Sequence, residues 1–329
     1  MFRSILVPLD GSPFAERALD VAARLARRDH AALTLVRVAP AEVLALGAGG
    51  VPPIDPTLDR AQRAEAEAYL DDVATRLRES EAVAAVTVVR TGPIIDELVA
   101  IAADVRPDLV VMTSHGRSGL VRAWMGSTAD ELIRALDVPT LVLRQPDTPQ
   151  PAGSLRFERV LVAVDGSDFA DLAIEPALGL VERPGGRLTL LRVVLPESHL
   201  GAFPSEAWSE AATSRMQQAT AANVLEQRAE RIAARGIAVD SHVIAHEHPA
   251  TAILEFAGQH GCDAIALATH GSSGFARLVF GSVADRLLRA SVRPLLIVHP
   301  IPAPVREVAS PAGAAAAALR LAGVTPLPA

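Results

Sequence analysis

The sequence contains no lysine, so all 31 of its basic residues are arginine. This absence excludes a Walker-type phosphate loop, whose lysine reaches the β- and γ-phosphates. It also excludes an enzyme that forms a Schiff base through lysine. Because Cys262 is the only cysteine, no intrachain disulfide can form, and a cysteine-based metal site is not expected. Composition alone therefore removes two classes of enzyme and one class of structural cross-link.

Aromatic residues are also scarce, at 3% of the chain, and the formal net charge is −7. Nucleic-acid binding relies on positive charge and, for single strands, on aromatic stacking, so we expect no nucleic-acid partner. No apolar run reaches the roughly 18 residues of a membrane-spanning helix. The N-terminus has only a short apolar run before Asp10, unlike a signal peptide. These features predict a cytoplasmic protein with no membrane partner.

The chain consists of two tandem copies of one sequence unit. The segment ILVPLDGSPFAERALD at residues 5–20 returns as VLVAVDGSDFADLAIE at residues 160–175. A longer block at residues 113–144 returns at residues 268–299, again with an offset of 155. Repeats should be identified before any fold is assigned, because they define the structural unit. We call the two copies the first and the second repeat.

The repeats predict two domains, at residues 1–145 and 157–300. The connecting residues 146–156 are rich in proline and small polar residues, as linkers are. Residues 301–329 match neither repeat and are rich in alanine and proline, so we expect a mostly disordered tail.

Each repeat alternates short apolar runs with longer segments of helical periodicity. The order is strand, helix, strand and so on, with five strands and four helices. This pattern predicts an α/β fold: two tandem doubly wound, Rossmann-like domains, each with a five-stranded parallel sheet. In such sheets ligands bind at the carboxyl ends of the strands, where the strand order reverses. We expect the first and fourth strands, which end near Asp10 and Thr113, to lie side by side there.

A glycine-rich segment follows the fourth strand and precedes the last helix. In the first repeat it contains Gly116 and Gly126, followed by Ser127; the second repeat has the same pattern. Backbone N–H groups of glycines and the helix N-terminus can bind an anion, and Ser127 can donate a hydroxyl to it. Asp10 could accept a hydrogen bond from a sugar or a base. The alternative is structural, because Ser127 with Asp130, and Ser282 with Asp285, also fit a helix capping box.

With these motifs in view, the sequence resembles the universal stress protein family, over residues 2–144 and 159–299. Nucleotide-binding members carry G-x2-G-x9-G-[ST] and an aspartate after the first strand. The resemblance implies an adenine nucleotide alpha hydrolase-like fold in each repeat, and ATP as ligand, with Mg²⁺ held through the phosphates. The implied nucleotide-binding residues are Pro8, Asp10, Val38, Thr113, His115, Gly116, Arg117, Gly126, Ser127 and Thr128, and in the second repeat Ala163, Asp165, Val193, Ala268, His270, Gly271, Gly281, Ser282 and Val283.

Two positions depart from the family pattern. Its first glycine is Thr113 in one repeat and Ala268 in the other, and a Cβ there is unfavourable if the backbone needs a positive φ. Pro8 of the first repeat is replaced by Ala163 in the second. These departures leave open whether one or both repeats bind the nucleotide.

Other candidate groups have simpler explanations. His246 and His248 flank Glu247 in a metal-like spacing, but lack a convincing third ligand and are interpreted as a solvated loop. His115 and His270 either assist a phosphate or hydrogen-bond the turn. Arg117 is a candidate cation for a terminal phosphate, with a solvated surface arginine as the alternative.

Three functions remain open from the sequence. The first is an ATP-binding sensor or regulator of the stress response, at most a slow ATPase, with no catalytic residues and no resident metal assigned. The second is a nucleotide-free interaction module, in which the last strands, TLVLR and LLIVH, pair the repeats as a pseudo-dimer and chains self-associate further as homodimers. The third is an adenylating or pyrophosphate-cleaving enzyme, for which extra catalytic motifs are missing. The protein partner and the stress signal are not encoded in any motif.

Overall fold

The structure, a computed structural model, describes residues 1–39, 56–114, 126–144, 154–182, 184–196, 207–269 and 280–299, together with residues 317, 318 and 321. The chain forms two compact units, one built on residues 1–145 and the other on residues 154–301. They correspond to the two sequence repeats. The residues predicted to form a disordered tail lie almost entirely outside the described ranges.

In the described residues of the first repeat, five strands alternate with four helices, as predicted. The elements are β1 (Ser4–Pro8), α1 (Arg17–Asp29), β2 (Ala32–Ala39), α2 (Pro56–Glu81), β3 (Ala85–Thr91), α3 (Ile94–Val105), β4 (Leu109–Thr113), α4 (Ser127–Ala135) and β5 (Thr140–Leu143). The strands are short and apolar, and β1 and β4 are buried along almost their whole length. Strands covered on both faces have this continuous apolar character.

The second repeat follows the same order with one extra break. Its elements are β6 (Arg159–Val164), α5 (Asp168–Asp171), α6 (Ile174–Leu180), β7 (Arg187–Val194), α7 (Ala207–Ala233), β8 (Ala238–Ala245), α8 (Pro249–Gln259), β9 (Ala264–Ala268), α9 (Ser282–Ala290) and β10 (Leu295–Val298). At the offset of 155, α6 lies within the span of α1, and α5 corresponds to the turns at residues 13–16. Pro176 explains the break, because proline lacks an N–H and is tolerated only in the first turn of a helix; α6 begins two residues before it.

Each unit contains a five-stranded parallel sheet. The strand order is β3-β2-β1-β4-β5 in the first repeat, and β8-β7-β6-β9-β10 is the matching order in the second. β1 pairs with both β2 and β4, and β6 pairs with both β7 and β9, all in parallel register. The predicted neighbours, the first and fourth strands, therefore do lie side by side in both repeats, at the point where strand order reverses.

Helices cover both faces of each sheet. In the first repeat α1 contacts α2, and α3 contacts α4, as expected when the chain winds outward on one face and returns on the other. α1 is amphipathic and buries an alanine- and leucine-rich stripe against the sheet. None of the described helices combines the length and the hydropathy that crossing a bilayer requires.

Candidate functional site

The carboxyl ends of β1 and β4 form the candidate site of the first repeat. Parallel pairing of Ile5 with Leu109 and of Leu6 with Val110 aligns the two strands, so both end at the same edge of the sheet. The chain after β1 turns at Asp10, and the chain after β4 leaves at Ser114. The second repeat has the same arrangement after β6 and β9.

The turn after β1 is organised by an aspartate and a serine. The backbone N–H and the hydroxyl of Ser12 both donate to Asp10 Oδ1, at 2.9 and 2.7 Å, and the Ser12 hydroxyl accepts from Ala15 N–H at 3.1 Å. Between them Gly11 has φ +83°, a left-handed conformation that favours glycine. The second repeat reproduces this turn with Asp165, Gly166, Ser167 and Ala170.

This turn fixes the position of a carboxylate at the switch point. The predicted role of Asp10 and Asp165 as acceptors for adenosine stays a prediction. Ser12 does not cap α1 directly, because residues 13–16 form turns and α1 begins at Arg17. Ser167, by contrast, is the N-cap of α5.

The backbone of Val38 faces the crevice beyond the end of β1. Val36 accepts a hydrogen bond from Leu9 N–H at 2.8 Å, so the polar groups of Val36 point towards β1. The direction of the backbone N–H and C=O groups alternates along a strand, so those of Val38 point to the same side as those of Val36. At the level of Val38, β1 has already ended. The polar backbone groups of Ala39 point the opposite way, towards β3, and its carbonyl accepts from Gly92 N–H at 3.1 Å.

Val193 is placed in the same way in the second repeat. Its neighbour Val194 accepts from His246 N–H at 3.0 Å on the β8 side, so the polar backbone groups of Val193 point towards β6. Both valines thus offer one N–H donor and one C=O acceptor at the crevice. That pair of groups matches the edge of a purine base, which carries both kinds of partner.

The glycine-rich segment is closed at its ends by one backbone hydrogen bond in each repeat. Gly126 N–H donates to the carbonyl of Ser114 at 2.8 Å, and Gly281 N–H donates to the carbonyl of Thr269 at 2.8 Å. A Cβ on Gly281 would lie 3.0 Å from that carbonyl oxygen, so glycine is needed there for a close approach. Ser114 and Thr269 are buried and were missed by sequence reasoning, although a hydroxyl residue recurs there at the same offset.

The last helix of each repeat begins without a side-chain cap. Gly126 is the N-cap of α4 and Ser127 its first helical residue, and the N-cap supplies no side-chain hydrogen bond. The predicted capping box is wrong, because the N-cap position is taken by Gly126 and not by Ser127. The carboxylate of Asp130 pairs with Arg134, at 3.0 Å, one turn later in the helix. The second repeat repeats this arrangement at α9, with Gly281, Ser282, Asp285 and Arg289.

The first-turn N–H groups of these helices have no intrahelical acceptor. Ser127, Thr128 and Ser282 are exposed, and Val283 is half-buried. With no carboxylate from the first turn engaged in a box, the helix N-terminus keeps its partial positive charge for an external anion. The helix N-terminus, which suits an anion, thus lies at the same edge of the sheet as the backbone groups of Val38 and Val193.

The departure from the family glycine does not strain the backbone. Thr113 is the last residue of β4, opposite Leu143, and Ala268 is the last residue of β9, opposite Val298. Neither is among the described non-glycine residues with positive φ. The expected penalty for a Cβ at these positions is therefore wrong as far as φ is concerned, because both residues adopt ordinary strand conformations.

Pro8 changes the edge of the crevice in the first repeat. Leu9 N–H points to β2, so the nitrogen of Pro8 points to β4, and proline has no proton to donate. Pairing between β1 and β4 ends at Leu6 and Val110. In the second repeat Ala163 has an N–H, and pairing continues to Ala163 and Leu267, two residues further.

The remaining candidates are placed as follows. His115, Gly116, Arg117, His270 and Gly271 lie outside the described residues. His246 Nδ1 accepts from His248 N–H at 2.9 Å, and their ring centroids are 6.1 Å apart. No cluster of three or more metal-ligating side chains occurs within the described ranges.

Two further side chains of the second repeat are buried. Phe280 is buried and makes an edge contact with His299, with 5.7 Å between ring centroids. Cys262 is buried, and burial raises the pKa of its thiol, which disfavours the reactive thiolate.

Comparison with known proteins identifies the family. The universal stress protein family matches residues 1–144 and 156–299, which covers most of the chain and both repeats. The chain belongs to the universal stress protein family. Its two matched segments confirm the tandem arrangement, and family membership supports a role in the stress response.

Curated universal stress proteins of similar length match the whole tandem unit. One from Mycolicibacterium smegmatis is 28% identical over 303 residues, covering 90% of this chain and 97% of that protein. One from Mycobacterium tuberculosis is 27% identical over 321 residues, covering 90% and 94%. Among solved structures, a universal stress protein from Archaeoglobus fulgidus has a TM-score of 0.63 at 22% identity, covering 90% of this chain and 96% of that chain, and supports the fold.

Proposed function

We propose that the chain is a cytoplasmic, ATP-binding universal stress protein that acts as a sensor or regulator in the stress response. One observation carries this proposal. At each switch point an aspartate turn, an outward-facing valine backbone and an uncapped helix N-terminus converge on one edge of the sheet. These groups suit, in order, a ribose or base amino group, a purine edge and a phosphate.

In this proposal the residues divide the ligand between them. Asp10 and Asp165 accept hydrogen bonds from the adenosine part, and Val38 and Val193 contact the base through their backbones. Ser127 and Ser282, with the first-turn N–H groups of α4 and α9, bind phosphate oxygens. Mg²⁺ accompanies ATP through phosphate oxygens and water. Hydrolysis is at most slow, and nucleotide occupancy shifts the population of conformers that an unidentified partner recognises.

The nucleotide-free interaction module is the competing function. Its main support was the Cβ of Thr113 and Ala268, and the strand conformation of both residues removes the argument from φ. Self-association through the last strands remains a prediction of either function. Direct measurement of binding separates the two.

The test is calorimetric titration of the full chain with ATP and Mg²⁺, beside the variants Ser127→Asp and Ser282→Asp. An aspartate in the first turn suits the helix dipole, so each variant should fold. It places a carboxylate where the phosphate is proposed to bind, and should weaken ATP binding at its own repeat by about tenfold or more, since hydrogen bonds to charged groups contribute about 1.5–3 kcal/mol.

The matched controls are Ser127→Thr and Ser282→Thr, which keep the hydroxyl. We expect micromolar binding by the parent chain, loss of one site in each single aspartate variant, and loss of both in the double variant. Absence of binding at millimolar ATP would reject the sensor and leave the interaction module. Unchanged binding in the double variant would place the phosphates elsewhere.

A further inference from the structure

The second repeat contains a cavity of about 340 Å³ between β7 and α7 that is open to solvent, with Met216 of its helix wall 74% exposed. Its lining residues are Arg192, Val194, Met216, Gln217, Thr220 and Ala221. Arg192 and Val194 alternate with Val193 along β7, so the cavity opens on the face of the sheet opposite the Val193 side chain. Arg192 reaches the Gly166 turn of the proposed ATP site, so the cavity adjoins that site and lies on the other face of β7. Its volume is within the range of about 300–1,000 Å³ that small-molecule sites occupy.

The charged residue in this cavity, Arg192, lacks the interactions that the corresponding arginine makes in the first repeat. In the first repeat Arg37 pairs with Glu65, at 3.3 Å, and lies over the ring of Tyr69, 5.0 Å from its centroid. Its side chain is only 11% exposed. At the offset of 155, Arg37 corresponds to Arg192, Glu65 to Thr220 and Tyr69 to Val224.

The helix burial pattern supports this correspondence. Ala66 and Leu70 of α2 are buried, and so are Ala221 and Leu225 of α7, at the same offset. The second repeat has thus replaced both the carboxylate and the aromatic ring that neutralise and cover the arginine in the first. Val224 is 36% exposed, consistent with a helix surface that no longer covers its strand.

Arg192 is half-buried and makes no hydrogen bond or ion pair with any residue that the structure describes. Its guanidinium packs over Gly166, where a Cβ would lie 2.6 Å from Nη1. Arg228 donates to the Gly166 carbonyl at 3.4 Å, which adds positive charge nearby, although Arg228 is itself paired with Asp171 at 2.7 Å. An arginine remains charged at all ordinary pH values, so a half-buried one favours an anionic partner.

The walls of the cavity indicate which anion fits. Val194, Met216 and Ala221 are apolar, and the hydroxyl of Thr220 donates to the carbonyl of Met216 at 2.9 Å, within its own helix. Arg192 is the one charged side chain among the described lining residues, beside the amide of Gln217, and a guanidinium pairs with a carboxylate through two parallel hydrogen bonds. We propose that this cavity binds a small monocarboxylate with a short aliphatic tail, its carboxylate on Arg192 and its tail against Val194, Met216 and Ala221.

Titration of the full chain with sodium octanoate tests this site, with octan-1-ol as the uncharged probe. One octanoate should bind per chain, and octan-1-ol should bind at least about tenfold more weakly, because it cannot pair with the guanidinium. Thr220→Glu restores the carboxylate of the first repeat and should reduce octanoate affinity by a similar factor. Arg192→Gln should have the same effect, and Arg37→Gln in the first repeat is the matched control and should have none.

The outcome is independent of ATP binding, since Ser282→Asp should leave octanoate affinity unchanged. Equal affinity for octanoate in the parent chain and in Thr220→Glu would overturn the proposal. So would equal binding of octanoate and octan-1-ol, which would indicate a purely apolar surface.

Discussion

Glycines have two different roles at the candidate site. Gly11 and Gly166 adopt positive φ between the aspartate and serine of each turn. Gly281 has an ordinary φ of −60°, and is required because its backbone approaches the Thr269 carbonyl closely. A substitution at Gly281 therefore tests packing, not anion binding, and the exposed residue Ser282 is the better position for probing a ligand.

Gly281→Ala should lower the free energy of unfolding of the second repeat by about 1–3 kcal/mol, the usual cost of overpacking. The new Cβ would have to displace the backbone that carries the Thr269 carbonyl. Urea denaturation of this variant and of Ser282→Ala, whose side chain is exposed, makes the comparison. Equal stability of the two variants would contradict the close approach.

Tyr69 is the only tyrosine and reports on the first repeat directly. Its hydroxyl donates to Glu16 at 3.0 Å, and its pKa is raised by burial and by the negative charge of Glu16. Absorbance at the tyrosinate band should stay low at pH 10 in the folded protein. In denaturant, the same group should be half-ionised near pH 10, the ordinary value.

The sign of the stability effect follows from the raised pKa. The unfolded chain loses the tyrosine proton first, so this contribution is complete below about pH 10 and is lost as the pH rises towards the folded pKa. Tyr69→Phe should therefore lose less stability than the parent between pH 8 and pH 11 in urea denaturation. An equal loss would show that Tyr69 is not protected.

At the scale of elements, α2 and α7 end differently. Ala82 follows α2 with φ +54°, whereas Gly236 follows α7 with φ +78°. Each precedes a buried aliphatic residue, Val83 and Ile237, that anchors the next strand. A left-handed conformation costs a residue with a Cβ about 1–2 kcal/mol, and glycine avoids this cost.

Ala82→Gly should therefore raise the free energy of unfolding by about 0.5–1 kcal/mol, after the opposing gain in unfolded-state entropy. Gly236→Ala should lower it by a similar amount, since no heavy atom lies within 4 Å of the added Cβ and only φ is unfavourable. Denaturation of both variants in parallel checks the pair. A destabilised Ala82→Gly would contradict this explanation.

The sequence was most informative about elements and least about their ends. Apolar runs and helical periodicity were sufficient for the strands and helices of the first repeat, because burial on both sheet faces imposes those patterns. The predicted capping box failed because the helix begins one residue earlier than the pattern of serine and acid assumes, with Gly126 at the N-cap. The break between α5 and α6 depends on Pro176, a signal that was present in the sequence.

The site was predictable as a location and not as a geometry. The switch-point rule placed Asp10 and the end of β4 together, since it depends only on topology. The closing bond between Gly126 and Ser114 depends on the path of the backbone. The missing contacts around Arg192 are recognised only by comparing the second repeat with the first.

For the whole molecule, two compact units, each with a complete sheet covered by helices, predict independent folding. Residues 1–145 and residues 154–300, expressed separately, should each show mixed helix and strand signals in circular dichroism and a cooperative urea transition. A non-cooperative transition in either fragment would mean that the unit requires the rest of the chain.

The shortened pairing at Pro8 has a kinetic consequence. Pairing between β1 and β4 stops two residues earlier than pairing between β6 and β9, so the edge of the first crevice is less closed by strand pairing. If the proposed nucleotide binds there, it would enter and leave this crevice with less rearrangement of the backbone around it. A single chain would then carry two copies of one site that exchange the same ligand at different rates. The first repeat would follow rapid changes in ligand concentration, and the second would respond only to slower ones.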